Sequence, residues 1–209
     1  MIFTDRIEAG EKLAEKVIEV VDKNDKGVVL GVPRGGVVIA KIIAEELNWE
    51  LGVIIAKKIG FPGRGELAMG AVAEDGEPIW SKDLIKGYGV KEKDRLRELE
   101  KAKRKIKDYI KNFRQGKKLE VKDKVVIIAD DGIATGKTVE AGIKSLRELK
   151  AKMVIVVVPV CAKDTEKRLR KIADKFVCLH SSGNFMAVGQ FYKDFPQVSD
   201  EEVERLLVE

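Results

Sequence analysis

Residues 125–138 read VVIIADDGIATGKT, and no other stretch of the chain restricts the fold as tightly. Val125, Val126, Ile127, Ile128 and Ala129 form a continuous apolar, mostly β-branched run, the pattern of a strand buried on both faces. The run stops at two adjacent carboxylates, Asp130 and Asp131. A turn of small and hydroxylated residues, Gly132 to Thr138, then opens an amphipathic helix. The free N–H groups and the dipole at a helix start both favour a phosphate. Two carboxylates beside such a cradle repel a phosphate unless they face another part of the same ligand. Vicinal ribose hydroxyls and a Mg²⁺ ion are the natural candidates, so the segment reads as built for a sugar phosphate.

The triplet Gly136-Lys137-Thr138 invites comparison with the nucleotide P-loop. That loop needs an earlier glycine separated from the second by four residues. The position is Asp131 here, and Gly132 leaves only three residues between. A carboxylate there would sit against the triphosphate, so the triplet is read as helix-start chemistry.

The rest of the chain alternates strand-like and helix-like patterns. Asp5 with Glu8 reads as a capping pair for a helix carrying Leu13, Val17 and Val20. A buried strand, Val28 to Val32, runs into GVPRGG (Gly31 to Gly36), and the next helix carries Val37, Ala40, Ile43, Ala44 and Leu47. A second strand, Val53 to Ala56, ends in Lys57 and Lys58. A glycine-rich loop follows, and GAVAEDGEPIW suggests a hairpin turning at Asp75-Gly76. Leu96, Leu99, Ala102, Ile106, Ile110 and Phe113 predict a long helix from about Lys91 to Arg114. Met153 to Val160 and Phe176 to Leu179 are further buried strands, and Ser199 with Glu202 caps a last helix. This order predicts an α/β fold, a mainly parallel, doubly wound sheet with right-handed crossovers. One domain is expected over 1–209, with a small hood from about 1–25 and 180–209 and an inserted basic helix at about 91–115.

Composition narrows the setting. No apolar run approaches membrane-spanning length. Cys161 and Cys178 offer neither a disulfide framework nor metal-ligand spacing, which suits free thiols in a reducing cytoplasm. Residues 91–118 hold thirteen Lys/Arg against five Asp/Glu, a balance of +8, so the rest of this +5 chain is slightly acidic. That basic helix reads as a solvated face or a dimerisation element; its five interleaved acidic residues argue against nucleic-acid binding.

In open α/β sheets the ligand lies beyond the carboxyl ends of the strands, where each of these loops falls. GVPRGG repeats the strand-to-helix geometry that binds anions, with Arg34 as a fixed charge and Gly35 and Gly36 permitting close backbone approach.

Taken together, VVIIADDGIATGKT and its context resemble the signature of the type I phosphoribosyltransferases, which bind 5-phosphoribosyl-1-pyrophosphate (PRPP). The run from GVPRGG through the lysine pair to FYKDF (Phe191 to Phe195) resembles a little-characterised subgroup of them. The resemblance implies that Asp130 and Asp131 hold the ribose hydroxyls and, through these and water, a Mg²⁺ cofactor. It implies that Gly132, Ile133, Ala134, Thr135, Gly136, Lys137 and Thr138 wrap the 5-phosphate. Pro33, Arg34, Gly35 and Gly36 would form the pyrophosphate loop, and Lys57, Lys58 and Arg64 would serve catalysis. Phe61 to Gly70 looks like the family's mobile lid. The implied reaction is substitution at ribose C1 by a nitrogen nucleophile as pyrophosphate leaves, in a cytoplasmic homodimer.

The acceptor stays open. Hypoxanthine–guanine enzymes of the family carry an acidic residue where this chain has Ala134, which weakens a 6-oxopurine assignment, whereas adenine- and uracil-type signatures tolerate a small residue. Ser181, Ser182, Asn184 and Phe185 are candidates for an acceptor pocket. The aromatic residues Phe185 to Phe195 would roof a flat base or, more simply, pack as the hood, and His180 reads as structural. The alternative function is a PRPP-sensing regulator or RNA-binding protein on the same fold.

Overall fold

The computed structural model describes residues 1–208 except 23, 24 and 75, with the side chains of 64–66 also outside the described set. Chain order is α1 (Arg6–Ile18), β1 (Gly27–Gly31), α2 (Gly35–Leu47), β2 (Glu50–Val53), β3 (Ala56–Phe61), β4 (Arg64–Ala73) and β5 (Ile79–Trp80). It continues through α3 (Lys82–Gly87), α4 (Glu92–Arg114), β6 (Val125–Ala129), α5 (Lys137–Glu148) and β7 (Met153–Ala162). The chain closes with α6 (Lys163–Leu169), β8 (Lys175–Ser182), a 3₁₀ turn (Val188–Phe191) and α7 (Asp200–Val208).

Five strands form one parallel sheet in the order β2-β1-β6-β7-β8. Alternation along each strand divides the core. Val29, Ile127 and Ile155 meet α1 and α2 on one face, while Leu30, Ile128 and Val156 meet Val139, Ile143 and Leu146 of α5 on the other. All six strand residues are fully buried. Burying side chains of this size contributes roughly 1.5–3 kcal/mol each, which fixes the register. Gly31, Ala129 and Val157 align across the sheet, so the loops after β1 and β6 start level. From β1 the chain moves outward through α2 to β2, and from β6 it moves the other way through α5 to β7. The crevice between those loops is therefore the switch point where α/β sheets receive ligands. Among the described residues no helix is long and apolar enough to cross a membrane.

A second sheet corrects part of the sequence reading. Val53 to Ala56 is not one strand: β2 ends at Val53, and Ala56 begins a three-stranded antiparallel sheet, β3-β4-β5. The change occurs at Ile54 and Ile55. Ile54 N–H still reaches back to Gly31 O (3.1 Å), whereas Ile55 O accepts from Glu74 N–H (3.1 Å) in the second sheet. The stretch expected as an irregular glycine-rich loop is a β-hairpin turning at Pro62 and Gly63. Ile59 and Met69 are fully buried within it, and the Phe61 ring packs edge-on against Tyr88 at 5.0 Å. The pairing anticipated in GAVAEDGEPIW exists as Gly70 with Trp80 and Ala71 with Ile79; Asp75 of its expected turn lies outside the described residues.

Helix α4 lies along β3, burying Leu99, Ala102, Ile106 and Phe113; Leu96, expected on that stripe, is 53% exposed because it precedes the packed face. Both predicted caps form: Glu8 N–H donates to Asp5 Oδ1 (2.9 Å) and Glu202 N–H to Ser199 Oγ (3.1 Å). The termini meet where Phe3 N–H donates to Phe191 O and Lys193 N–H to Phe3 O, both at 2.8 Å. Phe3 and Tyr192 rings pack at 5.7 Å and Tyr192 stacks on Phe195 at 4.8 Å, so the FYKDF aromatics serve packing.

Candidate functional site

Two loops face each other across the switch point. After β1, Val32 N–H donates to Ala129 O (2.9 Å), the Pro33–Arg34 peptide is cis, and α2 starts at Gly35. After β6 come Asp130 and Asp131, and Asp131 N–H donates to Asp130 Oδ1 at 2.9 Å. A Cβ on Gly35 would lie 1.9 Å from Asp131 Oδ2, and one on Gly36 would lie 2.6 Å from Ala129 O. These glycines are therefore required for the two loops to touch. The sequence reading assigns them to the approach of a ligand; on the side a Cβ would occupy, they admit the acidic loop itself.

The carboxylates are not equivalent. Arg6 of α1, only 8% exposed, donates from Nε to Asp131 Oδ2 at 2.8 Å. The same guanidinium donates to Pro196 O (2.8 Å) and lies over the Phe195 ring, 3.8 Å from its centroid. Burial pushes the Asp131 carboxyl up while Arg6 pulls it down, with a net rise. Asp130 is raised well above the carboxylate range, first by burial and then by the neighbouring Asp131 charge. Burial and the neighbouring charge thus oppose ionisation of Asp130 in the crevice, and partners that prefer the anion would offset them.

The loop leading to α5 is held from behind. Ile133 N–H donates to Val160 O and its carbonyl accepts from Ala162 N–H, both at 2.9 Å. Thr165 Oγ1 donates to Ala134 O (2.6 Å), Arg168 donates to Thr135 O, and Tyr192 Oη donates to Asp131 O (2.6 Å). Gly136 takes φ +65°, a conformation that favours glycine, and a Cβ there would also meet Thr165 at 2.6 Å. Intrahelical bonding begins with Glu140 N–H to Gly136 O at 2.9 Å. The amides of Lys137, Thr138 and Val139 therefore have no intrahelical acceptor. With carbonyls tied back and amides forward, this helix start suits an anion. Ala134 and Thr135 are exposed, Lys137 and Thr138 half-buried, and Gly132, Ile133 and Gly136 buried.

Successive strand residues point to opposite faces, so the lysine pair is split rather than exposed together at a strand end. Lys57 is half-buried, its Nζ 3.4 Å from the Tyr109 ring centroid on α4. Burial lowers its ammonium to about 8, against the raising charge of Asp200 and with Lys105 and Arg34 adding to the fall. Lys58 is exposed on the other face, shared with Ala56, which packs against Ala71, Ala73 and Ala141. The side chain of Arg64 lies outside the described residues. Arg34, 3.8 Å from Asp200 Oδ1, flanks the crevice on the Lys57 side.

The acceptor candidates are more scattered. Ser181 is exposed and its hydroxyl bonds Glu166; Phe185 packs on Phe191 at 5.1 Å. Ser182 Oγ accepts from Asn184 N–H (3.2 Å), and Gln190 Nε2 donates to Asn184 O (2.9 Å). Ser181 and Ser182 thus end β8, and Asn184 and Phe185 lie in the turn that follows it. His180, half-buried, meets Phe191 edge-on at 5.5 Å, in keeping with a structural place. A hollow of about 710 Å³ between β2, the end of α4 and α7 is lined by Val28, Glu50, Phe113, Lys118 and Leu207, none of them a crevice residue.

Sequence reasoning misses Arg6, Thr165, Arg168 and Tyr192. Only Arg6 leaves a signal, because it opens the buried stripe Arg6, Ala9, Gly10, Leu13 and Val17 as its one charged member. For a metal, no three His, Cys, Asp or Glu side chains gather among the described residues, and Asp131 already accepts from Arg6. Two adjacent carboxylates do suit a Mg²⁺ ion that takes its other oxygens from a bound phosphate or sugar.

A family model described as the phosphoribosyl transferase domain matches residues 3–196. A Mycobacterium tuberculosis protein named "Putative phosphoribosyl transferase" is 36% identical over 210 residues, 97% of this chain. The chain spans about half (45%) of that relative's length. The crystal structure of TT1426 from Thermus thermophilus is 35% identical, with a TM-score of 0.83 over 100% of this chain and 98% of that one. AQ2163 from Aquifex aeolicus, 12% identical with a TM-score of 0.52 over 85% of this chain and 73% of that one, shares the fold. By family model, sequence and fold alike, the chain belongs to the phosphoribosyltransferase family.

Proposed function

We propose that this chain is a Mg²⁺-dependent phosphoribosyltransferase, moving the 5-phosphoribosyl group of PRPP to a nitrogenous acceptor with release of pyrophosphate. One observation carries the reading: a pair of carboxylates sits between the α5 start, whose first amides lack intrahelical acceptors, and the Arg34 turn, where Gly35 meets the Asp131 side chain. PRPP has that order of groups, a phosphate and a pyrophosphate with a dihydroxy sugar between them. In this reading the 5-phosphate takes the amides at the start of α5, the ribose hydroxyls donate to Asp130 and Asp131, and the pyrophosphate lies towards Arg34 and Lys57.

Mg²⁺, held by Asp130 and Asp131 through ribose hydroxyls and water, would offset charge on the departing pyrophosphate. The chain's own part is positioning and electrostatics. Arg34 and Lys57 supply fixed positive charge where negative charge grows as the C1–O bond breaks. Arg6 and Tyr192 hold the acidic loop still, so the ribose meets carboxylates already in place. Ala134, exposed at the loop, puts no carboxylate beside the base, which supports an acceptor other than a 6-oxopurine.

The test is turnover: purified protein with PRPP and Mg²⁺, screened against bases and small amines for pyrophosphate release. Release that depends on one acceptor, and is lost in Asp131→Asn, supports the reading. Tight PRPP binding with no release from any acceptor would instead support a PRPP-sensing regulator.

A further inference from the structure

Helix α4 carries most of the chain's excess positive charge, and the function above leaves that unexplained. Its packed face offers an explanation. Tyr109 lies under the Lys57 ammonium at 3.4 Å, and Lys105 precedes Tyr109 by four residues, hence lies on the same side of the helix one turn earlier. Arg34 approaches from the start of α2. Three cations from three elements thus face one region beside the crevice.

One carboxylate enters that region. Asp200, the first residue of α7, stands 3.8 Å from Arg34, and α7 packs on both α2 and α4. Its Oδ1 is buried yet accepts no hydrogen bond. A carboxylate so placed is a loosely held counter-ion: near enough to offset charge, too far to be locked by a directed bond.

We propose that α4 and α7 complete the pyrophosphate end of the site. Lys105 joins Arg34 and Lys57 as a third ligand-binding cation, and Asp200 occupies their midst as an internal anion that an incoming diphosphate replaces. The proposal rests on the phosphoribosyl-transfer reading and extends it to residues outside the two loops. It gives the basic helix a binding face, with its remaining lysines on solvated faces. The depressed Lys57 ammonium agrees, since Lys105 and Arg34 crowd it and a single carboxylate does not fully compensate.

The experiment is calorimetric titration of inorganic pyrophosphate and, separately, PRPP, each with Mg²⁺, into wild type, Lys105→Gln, Asp200→Asn and Lys107→Gln. Lys107 is exposed on α4 but turned about 200° from Lys105, so it controls for bulk charge. Asp200→Asn is expected to tighten pyrophosphate roughly three- to fivefold, Lys105→Gln to weaken it by a similar factor, and Lys107→Gln to leave it within error. Lys105 is exposed and Asp200 half-buried, and matching melting curves confirm that the variants fold. Wild-type affinities in both Lys105→Gln and Asp200→Asn, with PRPP still bound, would overturn the proposal and spare the function. Weaker binding in Asp200→Asn, or equal losses in Lys105→Gln and Lys107→Gln, would also overturn it. Failure of wild type to bind PRPP at all would instead remove the underlying reading.

Discussion

Arg6 donates from Nε to Asp131 Oδ2 at 2.8 Å, joining the amino-terminal helix to a loop 125 residues away in sequence. With Pro196 O and the Phe195 ring as its other partners, this one guanidinium ties both ends of the chain to the acidic pair. Removing it leaves a buried carboxylate without its cation. Arg6→Ala should therefore lower stability by about 3 kcal/mol, or roughly 6–12 °C in melting temperature for a chain of this size. Arg6→Lys should recover only part of the loss, because an ammonium cannot reproduce the fork and the stacking. Calorimetry of the two variants checks both statements.

Asp130 carries the opposite sign. Its native carboxyl binds a proton more readily than in the unfolded chain, so the charged form costs stability once pH exceeds the ordinary carboxylate range. Asp130→Asn should raise ligand-free stability near neutral pH by about 1–2 kcal/mol while abolishing PRPP binding. The gain should shrink as pH falls through the native Asp130 pKa towards the ordinary value. Urea unfolding of both proteins at pH 5 and pH 7.5 reads this directly, and a variant less stable than wild type at pH 7.5 contradicts it.

Lys57 gives a pH dependence of ligand binding. Its ammonium titrates at about 8, lowered by burial and by Lys105 and Arg34, with Asp200 opposing. Pyrophosphate affinity should fall as pH rises through about 8, as the lysine loses its charge. Lys57→Arg should flatten that fall, since a guanidinium stays charged. Titrations at pH 7, 8 and 9 separate the two profiles; parallel profiles would remove Lys57 from the subsite.

Gly35 offers a steric test. A methyl group there collides with Asp131 Oδ2 and lies 2.8 Å from Arg6 Nε, so the two loops must part. Gly35→Ala should cost about 1–3 kcal/mol and weaken PRPP binding at least tenfold. Gly116→Ala, at an exposed helix end with φ +78° and nothing within 4 Å, should cost about 1 kcal/mol and leave binding unchanged. Equal binding losses in the two variants would refute close loop contact as the cause.

These residues also show what the chain discloses on reading. The parallel sheet is legible because Val125–Ala129 and Met153–Val160 are apolar runs that only burial on both faces explains. The helix starts after β1 and β6 are legible from their glycines, though the glycines' first task is loop contact. Val53–Ala56 misleads for a physical reason: an unbroken apolar run carries no mark where the chain leaves one sheet for another. Glycines at 60, 63, 65 and 70 suggest a loop, yet shared burial of Ile59, Phe61, Met69 and Val72 in one core cluster makes a hairpin. Arg6, Thr165, Tyr192 and Asp200 act through contacts far away in sequence, which no local pattern records.

That the Asp130–Asp131 crevice binds PRPP is the central claim, and calorimetric titration of PRPP with Mg²⁺ tests it most directly. Saturable one-site binding is expected for the wild type and none for Asp130→Asn with Asp131→Asn, a double variant whose folding is checked by its melting curve. Undiminished binding to a folded double variant, or no binding to the wild type, would contradict it.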